Sequence, residues 1–134
     1  MKIMIPALLM AGILFTGFTP AAAQKAFEMA IYTGKLQSQR TTLLLGSGYL
    51  GASEVRIYTS KTEWDTFYPE AGVPDEKAKL SFRTAGKSDK RSFLLSGISE
   101  EMGVPKTISA KYYDGKRWLP VTFSLARPLA VQAH

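Results

Sequence analysis

From residue 27 onward, apolar positions recur mainly at every second residue. Phe27, Met29 and Ile31 alternate with Glu28, Ala30 and Tyr32. Val55, Ile57 and Thr59 alternate with Glu54, Arg56 and Tyr58, and Leu80 and Phe82 alternate with Lys79, Ser81 and Arg83. A period of two is the signature of a strand with one buried face. Thr41 to Leu45 and Ser92 to Leu95 are short apolar runs of strand length, the first with β-branched residues at its start. Gly34 is expected to weaken the first strand near its end.

The strongest local prediction is a hairpin around Asp114-Gly115, the dipeptide favoured by a two-residue type I′ turn. Such a turn pairs Tyr113 with Lys116, Lys111 with Trp118, Ala110 with Leu119 and Ile108 with Val121. One face then collects Ile108, Ala110, Tyr112, Leu119, Val121 and Phe123 for a core. The opposite face collects Ser109, Lys111, Tyr113, Lys116, Trp118 and Thr122. Pro120 cannot donate to a ladder, so its strand is expected at an edge or a bulge.

Two segments read as helical. Ser60-Lys61-Thr62-Glu63 has the form of a capping box, and Trp64, Phe67 and Tyr68 follow at helical spacing, with Pro69 as a stop. Ser99 to Gly103 reads as a single turn before Pro105. Residues 69–76 read as a loop. Leu125 to His134 reads as a tail in which Pro128 interrupts any strand. The expected fold is mainly β: a small antiparallel sandwich or barrel of about seven strands with one short helix.

The N-terminus has a different character. Lys2 precedes an apolar stretch from Ile3 to Phe18, and Ala21-Ala22-Ala23 supplies small residues for a signal-peptidase site. The apolar run is marginal for a membrane span of about 20 residues. The organisation expected is a signal peptide at 1–23 and a single β-rich exported domain at 24–134, periplasmic or extracellular. No later stretch is apolar enough to form a spanning helix.

Composition narrows the chemistry. The chain of 134 residues has no cysteine, and its single histidine is His134. Thiol nucleophiles, thiolate metal sites and disulfides are excluded, and the body lacks the usual general base and zinc ligand. No cofactor is expected. Lys and Arg number 17 against 11 Asp and Glu, a net charge of +6. In an exported protein this favours acidic partners of the envelope or exterior over cytosolic nucleic acid.

Several motifs have ordinary explanations. Gly46-Ser47-Gly48-Tyr49-Leu50-Gly51 matches G-x-G-x-x-G, but an alternating strand follows it and not a helix, so it reads as a glycine-rich turn or bulge. Ser47 lacks a histidine base and reads as a turn serine. Glu63, Asp65, Glu70, Asp75, Glu76, Glu100 and Glu101 read as solvated acids. Trp64, Phe67 and Tyr68 read as a helical face packed on the sheet. The basic series Lys77, Lys79, Arg83, Lys87, Lys90 and Arg91 reads as a solvated face.

The outer face of the final hairpin is the candidate binding surface. Trp118 and Tyr113 would be diagonal neighbours, flanked by Lys111 and Lys116. Aromatic faces with adjacent cations suit sugar rings, anionic glycans or a protein contact. The function expected is a non-catalytic binding or interaction module, with an acidic glycan, a lipid head group or another exported protein as partner. Two alternatives remain open. One is a small exported hydrolase that uses two carboxylates, and the other is a lipocalin-like carrier of an apolar ligand inside a barrel.

Overall fold

The computed structural model describes residues 26–133, with side chains from 28 to 126. The expected signal peptide at 1–23 lies outside the described residues. Eight strands follow one another: β1 (Ala26–Leu36), β2 (Gln39–Ser47), β3 (Glu54–Tyr58), β4 (Trp64–Pro69), β5 (Lys79–Arg83), β6 (Ser92–Ser96), β7 (Thr107–Tyr113) and β8 (Trp118–Ala133). Each pairs antiparallel with the next, and β8 pairs with β1, so the sheet closes into an up-and-down barrel.

Closure depends on a segment expected to be a tail. Residues 124–133 form the long second half of β8 and pair with β1 from Thr33↔Ser124 to Ala26↔Ala133. Pro128 does not end the strand. The register shifts between Glu28 and Ala30, and again between Ile31 and Tyr32, and these irregularities let pairing continue past the proline. Pro120 lies opposite Lys111 in the part of β8 that precedes the ladder with β1, which begins at Ser124. Its missing N–H therefore costs no bond on that side.

The expected helix after Ser60 is also a strand. Ser60 Oγ accepts the backbone N–H of Thr62 and of Glu63, as an N-cap would. However, the N–H groups of Thr59 and Ser60 donate back to the carbonyl of Glu63, which closes a hairpin between β3 and β4. The i, i+3, i+4 spacing of the aromatics would gather them on one face of a helix, but a strand divides them between its two faces. Phe67 points inward and is fully buried, whereas Trp64 and Tyr68 are exposed on the other face. In a Trp-Asp-Thr-Phe-Tyr segment rich in β-forming side chains, pairing with β3 prevails over the capping signal. The one helical piece among the described residues is a 3-10 turn at Leu50–Ala52.

This turn follows the glycine motif. Gly48 has φ +87°, and a Cβ on Gly46 would lie 2.4 Å from the Tyr49 carbonyl oxygen. The glycines serve a tight reversal, as expected. Ser47 donates its hydroxyl to the Gly103 carbonyl at 3.3 Å. Ser99 to Gly103 forms a single turn, closed by the Met102 N–H on the Ser99 carbonyl, with Gly103 at φ +70°.

Inward positions fill the barrel. Tyr32, Leu43, Leu45, Val55, Phe67, Phe82, Phe93, Leu95, Ile98 and Phe123 are each 0% exposed. Phe93 is the hub of an aromatic cluster. It meets Phe67 edge-to-face at 4.9 Å, Tyr112 at 4.8 Å and Phe123 at 6.2 Å between ring centres. Four strands are thereby joined across the axis. An eight-stranded barrel has an interior just wide enough for its own side chains, and these aromatics occupy it.

One rim is closed by an ion-pair network, because Arg91 is not on a solvated face. Its guanidinium holds Asp89 at 2.8 Å and Asp65 of β4 at 3.0 Å, and it lies 5.3 Å above the Phe67 ring centre. This spans a weak seam, since β4 and β5 share only the pairs Tyr68↔Arg83 and Pro69↔Phe82. At the other rim the Tyr32 hydroxyl donates to the Pro105 carbonyl at 2.6 Å.

Replacing Phe93 with Ala should cost about 3–5 kcal/mol, because the cavity it leaves touches all the other rings of the cluster. Urea unfolding of the variant would measure this, and an unchanged midpoint would contradict the assigned hub. Side-chain and backbone hydrogen bonds with Arg91 hold the Asp89 carboxyl far below its ordinary value of 3.8. Its stabilisation is therefore complete above about pH 4 and is lost as pH falls through the depressed value. Asp89→Asn should lower neutral-pH stability by about 1–3 kcal/mol and flatten the acid limb of a stability–pH curve.

Candidate functional site on the outer wall

The final hairpin keeps its predicted faces with a different register. Tyr113 lies opposite Trp118, Tyr112 opposite Leu119, Ala110 opposite Val121 and Ile108 opposite Phe123. The connection is four residues long. Asp114 rules out the two-residue turn: its Oδ1 accepts the N–H of Lys116 at 2.8 Å and of Arg117 at 2.9 Å, while its own N–H donates to the Arg117 carbonyl. These backbone hydrogen bonds also hold the Asp114 pKa below its ordinary value. Gly115 takes φ +104° within the loop. Lengthening the loop by two moves the register by two, which preserves every side chain's face.

The register brings the two aromatics closer than expected. Tyr113 and Trp118 are direct cross-strand partners with ring centres 5.1 Å apart and planes tilted by 44°. The Tyr113 hydroxyl donates to the Gly115 carbonyl at 3.1 Å, which fixes the ring against the turn. Trp118 is 50% exposed and stands uncovered on the wall. Lys111 is exposed on the same face of β7, opposite Pro120 and not Trp118. Lys116 is exposed in the connecting turn and is not a strand partner of Tyr113. Three of the four candidate residues thus share the wall, with the fourth at its rim.

A second outer surface, on β1 to β4, escaped the sequence reading. Three cross-strand rows lie side by side. Ile31, Leu44 and Glu54 form one, and Thr33, Thr42, Arg56 and Thr66 form the next. The third contains Lys35 opposite Arg40 and Tyr58 opposite Trp64. The Arg40 guanidinium sits 4.0 Å from the Tyr58 ring centre, and Arg56 sits 4.7 Å from that of Trp64. The Tyr58 and Trp64 rings are 5.3 Å apart. Arg56 also bonds Glu54 at 2.6 Å. Burial works against its charge, but hydrogen bonds to Tyr58 and Glu54 outweigh that and hold its pKa above the ordinary value. A cleft of about 340 Å³ opens here, with Ile31, Leu44 and Ala126 as its apolar lining and Arg40, Arg56 and Tyr58 as its polar edge. Alternation marks Arg56 and Tyr58 as outward, but it puts Ile31 in the apolar phase of β1, whereas Ala30 and Tyr32 are the buried residues and Ile31 faces out. Only the ladder registers show that the residues of this surface converge from strands up to 35 positions apart in sequence.

The carboxylates considered for hydrolysis lie apart. Glu63 is in the β3–β4 turn, Glu70 and Asp75 are in the loop between β4 and β5, and Glu100 and Glu101 are in the loop before β7; all are exposed. Asp75 Oδ1 accepts the N–H groups of Lys77 and Lys79 and so shapes its loop. Among the described residues, no three acids or histidines gather as a metal site. No family model, curated protein or solved structure matches this chain. The fold and surfaces therefore define it by class alone: a closed eight-stranded antiparallel barrel with a filled interior and aromatic–cation surfaces on its outer wall.

Because Trp118 is half exposed and makes no contribution to the interior, Trp118→Ala should leave the fold intact, with a stability change within about 1 kcal/mol. Thermal unfolding followed by circular dichroism tests this. Loss of folded structure would instead place Trp118 in the core.

Proposed function

We propose that this chain is an exported, non-catalytic binding module that meets its partner on the outside of the barrel. The observation that carries this reading is the half-exposed Trp118, packed on Tyr113 and flanked by Lys111 and Lys116. An exposed tryptophan fixed by a neighbouring ring is a rigid anchor with little entropy to lose on binding. The lysines add complementarity to acidic glycans, lipid head groups or an acidic face of another exported protein. The export signal read at 1–23 and the basic excess favour a partner in the periplasm or beyond.

Three further observations support surface binding. The barrel axis is occupied by Phe67, Phe82, Phe93 and Phe123, the volume that a carrier would give to its ligand. Outward positions carry Arg56, Lys79, Ser81, Arg83 and Lys111, side chains that suit water more than lipid. The carboxyls with depressed pKa values, Asp89 and Asp114, are held as anions, opposite to what a general acid needs.

The test is capture of envelope glycans and exported proteins on the immobilised chain, compared with Trp118→Ala. A component retained by the native chain and lost with the variant supports the module. Salt-sensitive retention assigns the lysines a share, and salt-resistant retention assigns it to the aromatics. Equal capture by both proteins would remove the Trp118 face as the contact.

A further inference from the structure

We propose that the cleft on the β1–β4 wall is a binding site for an acidic saccharide, a sugar ring bearing a carboxylate or phosphate. This rests on the reading of the chain as a module that acts from its outer surface, but it uses a different wall from Trp118. The argument begins with the state of the two guanidiniums. Arg56 is already held on three sides, by Glu54, by Tyr58 and by the Trp64 ring. Arg40 is exposed and stacked on Tyr58, and it is paired with no carboxylate among the described residues. Stacking immobilises the planar fork while its N–H donors remain available, the arrangement suited to bidentate recognition of a carboxylate or phosphate.

The rest of the cleft selects what carries that anion. Ile31, Leu44 and Ala126 provide an apolar lining, Thr33 and Thr42 provide hydroxyls, and the Tyr58 ring stands at the edge. A sugar presents both an apolar C–H face and a rim of hydroxyls, so it matches apolar and hydroxyl surfaces placed side by side. At about 340 Å³ the cleft is at the small end of ligand sites, the scale of a short saccharide. Glu54 limits the charge the site accepts. It neutralises Arg56 and leaves one unpaired guanidinium, which favours one anionic group per ring over a densely charged membrane surface.

The chain has two tryptophans, so Trp118→Phe leaves Trp64 as the sole indole reporter, stacked under Arg56 at the cleft's side. Titration of this full-length variant with oligogalacturonate and with glucose 6-phosphate should give a saturable change in Trp64 fluorescence for at least one of them. An uncharged galactose oligomer and glucose should bind at least tenfold more weakly. Arg40→Gln should weaken the acidic ligand at least tenfold without altering the far-UV spectrum, and Arg40→Lys should recover only part of the loss. Equal response to charged and neutral sugars, no saturation by either acidic probe, or unchanged affinity in Arg40→Gln would overturn the proposal. Binding to anionic phosphatidylglycerol vesicles alone would likewise replace it with a lipid site. Because the reporter lacks Trp118, failure here leaves the Trp118 surface untouched, and failure of that surface leaves this result standing.

Discussion

The filled barrel axis is the constraint on which the rest of the structure depends. Phe93 touches Phe67, Tyr112 and Phe123, and so links β4, β6, β7 and β8 through one side chain. Without cysteines, the chain closes eight strands on themselves by packing, hydrogen bonding and ion pairs. Small barrels of this count close only when inward side chains match the volume left by strand tilt and stagger. The alternation of β3, β5, β6 and β7 follows from that demand, and so do the small residues where strands crowd. At Gly34 an added Cβ would press on the Thr122 carbonyl and on Thr41 Oγ1 at 3.0 Å.

The same packing sets what happens at the rims. A closed cylinder of aromatics exposes its last layer at each end, and polar groups with fixed partners cover it. Arg91 lies over Phe67 and ties Asp65 of β4 to Asp89 of the loop before β6, where the direct ladder between β4 and β5 is shortest. Tyr32 and Tyr112 keep their protons to higher pH because burial disfavours the phenolate, and Tyr32 spends its hydroxyl on Pro105. With the axis occupied and the rims tied, Trp64, Tyr68, Trp118 and Arg40 stand exposed on the outer wall.

Much of the strand pattern was legible in one dimension. The alternations at 54–59 and 79–83 place Val55, Ile57, Leu80 and Phe82 inward, and the faces of the last hairpin are as the pattern requires. The errors arose where a local signal had two uses. Ser60 caps a hairpin turn with the hydrogen bonds of a helix start, and the helical spacing of Trp64, Phe67 and Tyr68 hid a strand that turns Phe67 inward and the other two outward. Asp114-Gly115 signalled a turn correctly, but the Asp114 carboxylate selected a four-residue loop. The β1–β2 turn at Gln37 and Ser38 carried no glycine signal, although Gln37 takes φ +58°.

The sequence by itself determined that this is a cysteine-free, basic, strand-built chain with Trp118 and Tyr113 on an outward face, because side-chain alternation is a local property of the backbone. Tertiary structure decided that eight strands close, that the last ten residues of β8 complete the ring against β1, and that Arg40, Arg56, Tyr58 and Trp64 meet on one wall. These are matters of register between distant segments. Register is set by the fit of a whole interior, and no local run of residues contains that information.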